Sequence, residues 1–237
     1  MAPLQFDLQT GGFTRTYGDD APLVAGVGIP FTETWTHADQ ANNLDADFDW
    51  VSLVAGWSIV SNAAELTNTG GASRIERLNV DLQTSDYRVR VPVATFDLGS
   101  TGTLVAGVCC RMPSSGASTF YTAFLFGQDG GPVSLNLSRW ISGGAVPLGS
   151  VVLGTLALPA DLAVSAKGNT ITAWWDGRRR VQAIDGGIPS GAFAGVQGVA
   201  QFATTTARFT QATVEAVPAF TTTRRTRGLL PFTGVGR

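Results

Sequence analysis

Short apolar stretches alternate with turn residues along most of this chain, and helical periodicity nowhere persists for ten residues. Twelve runs read as β-strands: Phe31–Trp35, Trp57–Val60, Ala72–Asn79, Asp86–Phe96, Thr103–Met112, Phe120–Phe126, Val133–Trp140, Leu162–Ala166, Thr170–Trp175, Arg178–Ile184, Val196–Ala203 and Ala207–Val214. Many short strands at regular spacing predict a sandwich or barrel. A three-strand meander is the clearest local signal. Gly168-Asn169 joins Leu162–Ala166 to Thr170–Trp175, and Asp176-Gly177 joins that strand to Arg178–Ile184, both with the composition of primed hairpin turns.

Period-two alternation assigns faces. Tyr87, Val89, Val91 and Val93 share an apolar face, with Arg88 and Arg90 opposite. Ile171, Ala173 and Trp175 align, leaving Trp174 with Thr170 and Thr172. Phe120, Phe124 and Phe126 are expected on one face with Tyr121 opposite, which puts Phe124 in the core. Arg179 is expected on the face of Val181, with Arg180 turned away. Two facing apolar sheets satisfy these patterns, so the fold class is all-β: a two-sheet antiparallel sandwich. Residues 31–217 form its body, with an N-terminal arm at 1–30 and a basic C-terminal tail at 218–237.

Composition refines this picture. The chain has 237 residues, 44% of them apolar, enough for a full core, and its 29 glycines punctuate rather than repeat. A net charge of −2 gives no global basic field, so nucleic acid is not expected as a partner. The ends differ from the body: 1–30 carries Asp7, Asp19 and Asp20 against Arg15, whereas 218–237 carries Arg224, Arg225, Arg227 and Arg237 and no acid. Cys109 and Cys110 are adjacent, so they point to opposite faces and are read as buried free thiols of a protein made in a reducing cytosol. Met1 to Thr10 lacks a basic region followed by an apolar run, and no stretch of about 18 apolar residues exists. Neither a secretory leader nor membrane insertion is therefore expected.

The order of features resembles the concanavalin A-like jelly roll in its laminin-G-like and glucanase-like branches. Asp49-Trp50 precedes Gly56-Trp57-Ser58-Ile59-Val60. Asp86-Tyr87-Arg88-Val89 follows, then Gly107 to Arg111, the Tyr121 strand, Val164 to Ile171, Trp174-Trp175-Asp176-Gly177 and Gly195-Val196. Modules of this kind, flanked by short arms, look like those in minor virion proteins of tailed bacteriophages, associated with tail or capsid. The resemblance implies a jelly-roll module displayed on a virion, made in the host cytoplasm. Its partners would be other virion proteins in a homo-oligomer or larger assembly. Arg224, Arg225, Leu229, Leu230 and Phe232 of the tail, with Arg178 and Arg180, are the candidate assembly contacts.

Catalytic chemistry is not expected. Glycosidases of this fold class carry paired carboxylates on one strand as Glu-x-Asp-x-Glu, one serving as nucleophile and another as acid, and that motif is missing. The nearest run, Asp45-Ala46-Asp47-Phe48-Asp49-Trp50, is read as a polar loop, with a calcium loop as its alternative. His37 is the single histidine, and no Gly-x-Ser-x-Gly elbow supplies a nucleophile for it. No cofactor or metal site is expected.

Three functional readings follow: a non-enzymatic virion component, a carbohydrate-binding module acting on host surface glycans, and a divergent glycoside hydrolase. For the second, Arg111, Tyr121, Trp140 and Trp174 are the candidate sugar contacts. Sugars stack their C–H faces on rings and need donors and acceptors for their hydroxyls, and these four are expected on sheet faces away from the core. Core or edge packing is the alternative role for such residues.

Overall fold

The computed structural model describes residues 5–7, 12–14, 29–36, 39–41, 44, 50–67, 70–99, 102–115, 119–202 and 204–217. Its strands are β1 (Gln5–Asp7), β2 (Gly12–Thr14), β3 (Phe31–Glu33), β4 (Trp50–Val54), β5 (Trp57–Ile59), β6 (Ala64–Thr67), β7 (Arg74–Leu78), β8 (Arg88–Asp97) and β9 (Thr103–Met112). They continue with β10 (Phe120–Gln128), β11 (Val133–Ile141), β12 (Gly144–Gly154), β13 (Ala160–Lys167), β14 (Thr170–Trp175), β15 (Arg178–Ile184), β16 (Phe193–Ala200), β17 (Thr206–Phe209) and β18 (Ala212–Glu215). There is no helix among the described residues, and hence none long and apolar enough to cross a membrane.

Two antiparallel sheets face each other. The first runs β12-β11-β10-β9-β16-β7-β4, and the second β15-β14-β13-β8-β17-β6-β5, with β18 pairing β8 and β3. Long strands at the centre of both sheets explain the core. Val89, Val91 and Val93 of β8 face Leu104, Ala106, Val108 and Cys110 of β9 in one buried cluster, which also takes Leu162, Val164, Ile171, Ala173 and Trp175. The face assignments of β8 and β14 therefore hold, with Val91 and Trp175 buried as expected. Both cysteines are buried and unbridged, Cys110 in this core and Cys109 in a smaller cluster on the outer side of the first sheet. Burial pushes both thiols up, Cys110 to about 12.

The grouping of Phe120, Phe124 and Phe126 opposite Tyr121 holds in β10, but the phenylalanine face is the outer one and not the core. Tyr121, Ala123 and Leu125 enter the core, whereas Phe124 and Phe126 are half-buried on the outer face. Phe120 is buried, but in the outer cluster with Ile75, Cys109 and Met112. Gly107 supplies the physical reason. It stands directly opposite Phe124 in the ladder, and a Cβ there would lie 2.5 Å from that of Phe124. The missing side chain lets an aromatic lie against the outer surface of the sheet, where alternation alone suggests an apolar residue must face inward.

The meander forms as the sequence predicts. Lys167 pairs with Thr170 across the first turn, and Trp175 with Arg178 across the second. Gly168, Asp176 and Gly177 have φ of 53°, 50° and 69°, values that match primed turns to the strand twist. A bulge then overturns the assignment for β15: Trp174 pairs with Arg179 and Ala173 with Val181, leaving Arg180 as the extra residue. Arg179 is thereby turned to the outer face with Trp174, away from Val181.

Some strands escaped the sequence reading. β12 is rich in glycine and holds Pro147, yet it pairs with β11 along its length. It is an edge strand, where proline is tolerated because its nitrogen can point away from the ladder. β1 and β2, which pair with each other, fall within the stretch read as an arm, and β4 and β6 were likewise not anticipated.

Candidate functional site

The outer face of the second sheet presents a polar groove across the meander. Ser165 and Lys167 of β13, Thr170 and Thr172 of β14, and Arg179 and Gln182 of β15 line it together with Val217, enclosing about 360 Å³. Alternation explains why so many polar side chains converge. Leu162, Val164 and Ala166 turn into the core, as do Ile171 and Ala173, so the intervening residues of both strands point outward.

Internal bonds hold this surface in place. The Trp174 indole Nε1 donates to Ser165 Oγ at 2.9 Å. Arg179 Nη1 donates to Gln182 Oε1 at 3.1 Å, and Gln182 Nε2 makes a long contact of 3.5 Å to Thr172 Oγ1. Next to the groove, the Arg88 guanidinium lies 5.6 Å from the centre of the Trp174 ring and holds Glu215 Oε1 through Nε and Nη2 at 2.9 and 2.6 Å. Arg90 reaches Asp161 at 2.9 Å. Trp174 is only 7% exposed, so it supports the groove wall instead of offering an open stacking platform.

The four sequence-predicted sugar contacts are not brought together. Arg111 and Tyr121 are buried and committed to the protein, which corrects their expected placement on an open face. Arg111 bonds Ser85 O, Ile188 O and Gly168 O at 2.9, 2.9 and 2.7 Å and Asp86 Oδ1 at 2.9 Å, tying loops together at one end of the sandwich. The bulge at Arg111, where φ is 55°, turns this side chain inward. Tyr121 donates to Asp185 Oδ1 at 2.6 Å and accepts from the Ile188 N–H at 3.0 Å. Burial first, then the bond to Asp185, pushes its phenol up to about 12. Trp140 is half-buried on the outer face of the first sheet, stacked on Phe120 at 5.8 Å and 16°. It therefore stands on the opposite outer surface from Trp174.

That first-sheet surface is closed around Trp140. Phe120, Cys109 and Met112 are fully buried, and Gln197 Nε2 donates to Thr122 Oγ1 at 2.9 Å within the sheet. Of the candidate assembly residues, Arg178 and Arg180 are exposed on β15, while Arg224, Arg225, Leu229, Leu230 and Phe232 lie outside the described residues. So do His37, Asp45, Asp47 and Asp49. Among the described residues, no group of three His, Cys, Asp or Glu is placed to hold a metal ion.

Sequence reasoning missed Ser165, Lys167, Arg179 and Gln182 as neighbours of one groove. The signal was present in the outward parity of Thr170, Thr172 and Trp174, which needed only to be extended across the two flanking turns.

No family model matches the sequence, and no curated protein matches it. Solved structures do. The carbohydrate-binding module CBM66 from Bacillus subtilis aligns at a TM-score of 0.57 with 16% identity, over 71% of this chain and 96% of that one. The Emp47p carbohydrate recognition domain aligns at 0.53 with 13% identity, over 76% and 95%. A β-glucanase from Bacillus licheniformis aligns at 0.55 with 12% identity, over 80% and 99%. The fold is the concanavalin A-like jelly roll. This is the fold implied by the order of the Trp57, Tyr87, Tyr121 and Trp174-Trp175 segments, and the Emp47p carbohydrate recognition domain and the β-glucanase share it.

Proposed function

We propose that this protein is a non-catalytic carbohydrate-binding module whose saccharide site is the groove over β13, β14 and β15. The observation that carries this reading is the convergence of three hydroxyls (Ser165, Thr170 and Thr172), the Gln182 amide and two cations on one sheet face, in a volume of about 360 Å³. Ligand sites commonly enclose 300–1,000 Å³ with a few convergent polar groups. Hydroxyl-rich sugars need such closely set hydrogen-bonding side chains. The solved structures with this fold include proteins named for carbohydrate binding or recognition, which supports the same reading.

The absence of a Glu-x-Asp-x-Glu strand supports a binding role over hydrolysis. The virion reading rests on the terminal segments and on resemblance; neither the groove nor the compared structures point to it, so carbohydrate binding takes precedence. Glycan-array binding by the full chain tests the proposal. Specific saccharide binding that Thr172→Val and Gln182→Ala each weaken at least tenfold is the expected result. Binding unchanged in both variants, or no saccharide bound at all, overturns the site. Reducing ends released from a polysaccharide panel would overturn the non-catalytic role.

A further inference from the structure

We infer that Trp174 is a positioning residue of the saccharide site: it does not touch the sugar but holds the Ser165 hydroxyl that does; the inference rests on the carbohydrate-binding reading above. An unrestrained serine hydroxyl samples three staggered rotamers of its side chain. In this groove one of them is selected. The Trp174 indole Nε1 donates to Ser165 Oγ at 2.9 Å in a buried bond. That bond leaves the Ser165 hydroxyl hydrogen and a second lone pair for the groove that the residue lines. Donation to a hydroxyl also polarises it, so that its own O–H becomes a stronger donor.

The indole can act in this way because it is itself fixed. Trp174 is nearly buried, and the Arg88 guanidinium stands over its ring, a cation drawn to the π face. Arg88 is held in turn by Glu215 Oε1, which accepts from both Nε and Nη2. Register explains why these groups meet. Ser165 stands opposite Arg88 on one side and opposite Thr172 on the other, and Glu215 of β18 stands opposite Arg88. Trp174 lies two residues along β14 from Thr172 and so shares its outer face. Side chains from β8, β14 and β18 thus converge on one hydroxyl of β13. The neighbouring Thr172 hydroxyl has no such anchor, since its side-chain contact is the long one from the exposed Gln182. A hydroxyl presented in one rotamer meets a sugar without losing rotational freedom, and a phenylalanine at 174 could not present it.

Isothermal titration of the full chain with cellohexaose, laminarihexaose, mannohexaose and oligogalacturonate, repeated on variants with each saccharide that binds, tests the inference. Trp174→Phe keeps an aromatic ring and loses the N–H. It should weaken binding by about threefold or more, the factor for freeing a side chain among three rotamers, with urea unfolding confirming that the variant is folded during the titration. Ser165→Ala should weaken binding too, and in that background Trp174→Phe should add no further loss, because the tryptophan acts through a hydroxyl no longer present. A role in packing alone would give the same factor in both backgrounds. That result overturns the inference, as does unchanged binding by Trp174→Phe. The NMR signal of the Trp174 indole N–H gives a second reading that stands even where Trp174→Phe does not fold. Saturating saccharide should move it in the wild type, and Ser165→Ala should largely abolish the movement; a signal unmoved in the wild type overturns the inference. Saccharide binding that still falls with Thr172→Val and Gln182→Ala would then leave the carbohydrate reading standing. No saccharide bound at all overturns both readings.

Discussion

The Arg111 guanidinium reaches Asp86 Oδ1 at 2.9 Å with very unequal exposure, 1% for the arginine side chain and 47% for the aspartate. The ion pair is thus the outer edge of a buried hub. Its inner side is formed by the Ser85, Gly168 and Ile188 carbonyls, which take the other donors of the same guanidinium. Arginine suits this place because a planar fork with five donors can serve several acceptors at once.

The two partners should therefore respond differently to substitution. Arg111→Leu leaves three carbonyls without their donor, and an orphaned buried acceptor costs about 1–3 kcal/mol. A loss of roughly 3 kcal/mol or more is expected in urea unfolding. Asp86→Asn should cost less than about 1 kcal/mol, because the carboxylate is about half exposed and Asn keeps an acceptor oxygen for Arg111 Nη2 and the Gly168 N–H. Equal losses for the two variants would show that the ion pair, and not the carbonyl hub, carries the stabilisation.

The register of β10 gives a second contrast. Leu125 is fully buried between the sheets, so Leu125→Ala should cost about 2–5 kcal/mol, the range for a truncated core leucine. Phe124→Ala should cost clearly less, since its ring lies half-buried over Gly107 on the outer face. Urea unfolding of both variants measures the difference, and the reverse ranking would restore Phe124 to the core.

Asp185 sets an acid limb. Burial alone pushes its carboxyl up, but the Tyr121 hydroxyl, the Gly187 N–H and Arg139 together outweigh that and hold it below the usual range. A carboxyl held lower in the folded chain stabilises fully above its unfolded value of about 4, and the stabilisation fades as pH falls through the folded value. Asp185→Asn should thus be less stable at pH 7 and show a flatter decline toward pH 2. Denaturation midpoints across that range decide it: wild type and variant falling in parallel would remove Asp185 from the acid response.

Much of the fold was legible because alternation and turn chemistry agree wherever strands are long and regular. The Thr103–Met112, Thr170–Trp175 and Arg178–Ile184 strands match their sequence limits, and Val91 and Trp175 are buried on the faces assigned. The failures share one cause, that local parity is set by partners. Gly107 admits Phe124 to the outer face, a bulge turns Arg179 outward, and an edge position lets β12 keep its proline. The site was harder to read for the same reason. Trp174 was placed on the correct face, but aromatic content drew attention to Tyr121 and Trp140, whose surroundings depend on strands far away in sequence. Short hydroxylic residues on β13 and β14 carry no individual signal until the meander sets them side by side.

A crystal structure with a bound oligosaccharide chosen from the binding panel tests the central claim most directly. The saccharide should occupy the outer face of the second sheet, with its oxygens within hydrogen-bond distance of Ser165, Thr172 and Gln182. A sugar seated instead over Phe120 and Trp140 on the opposite surface, or a groove left empty at saturating saccharide, would contradict it.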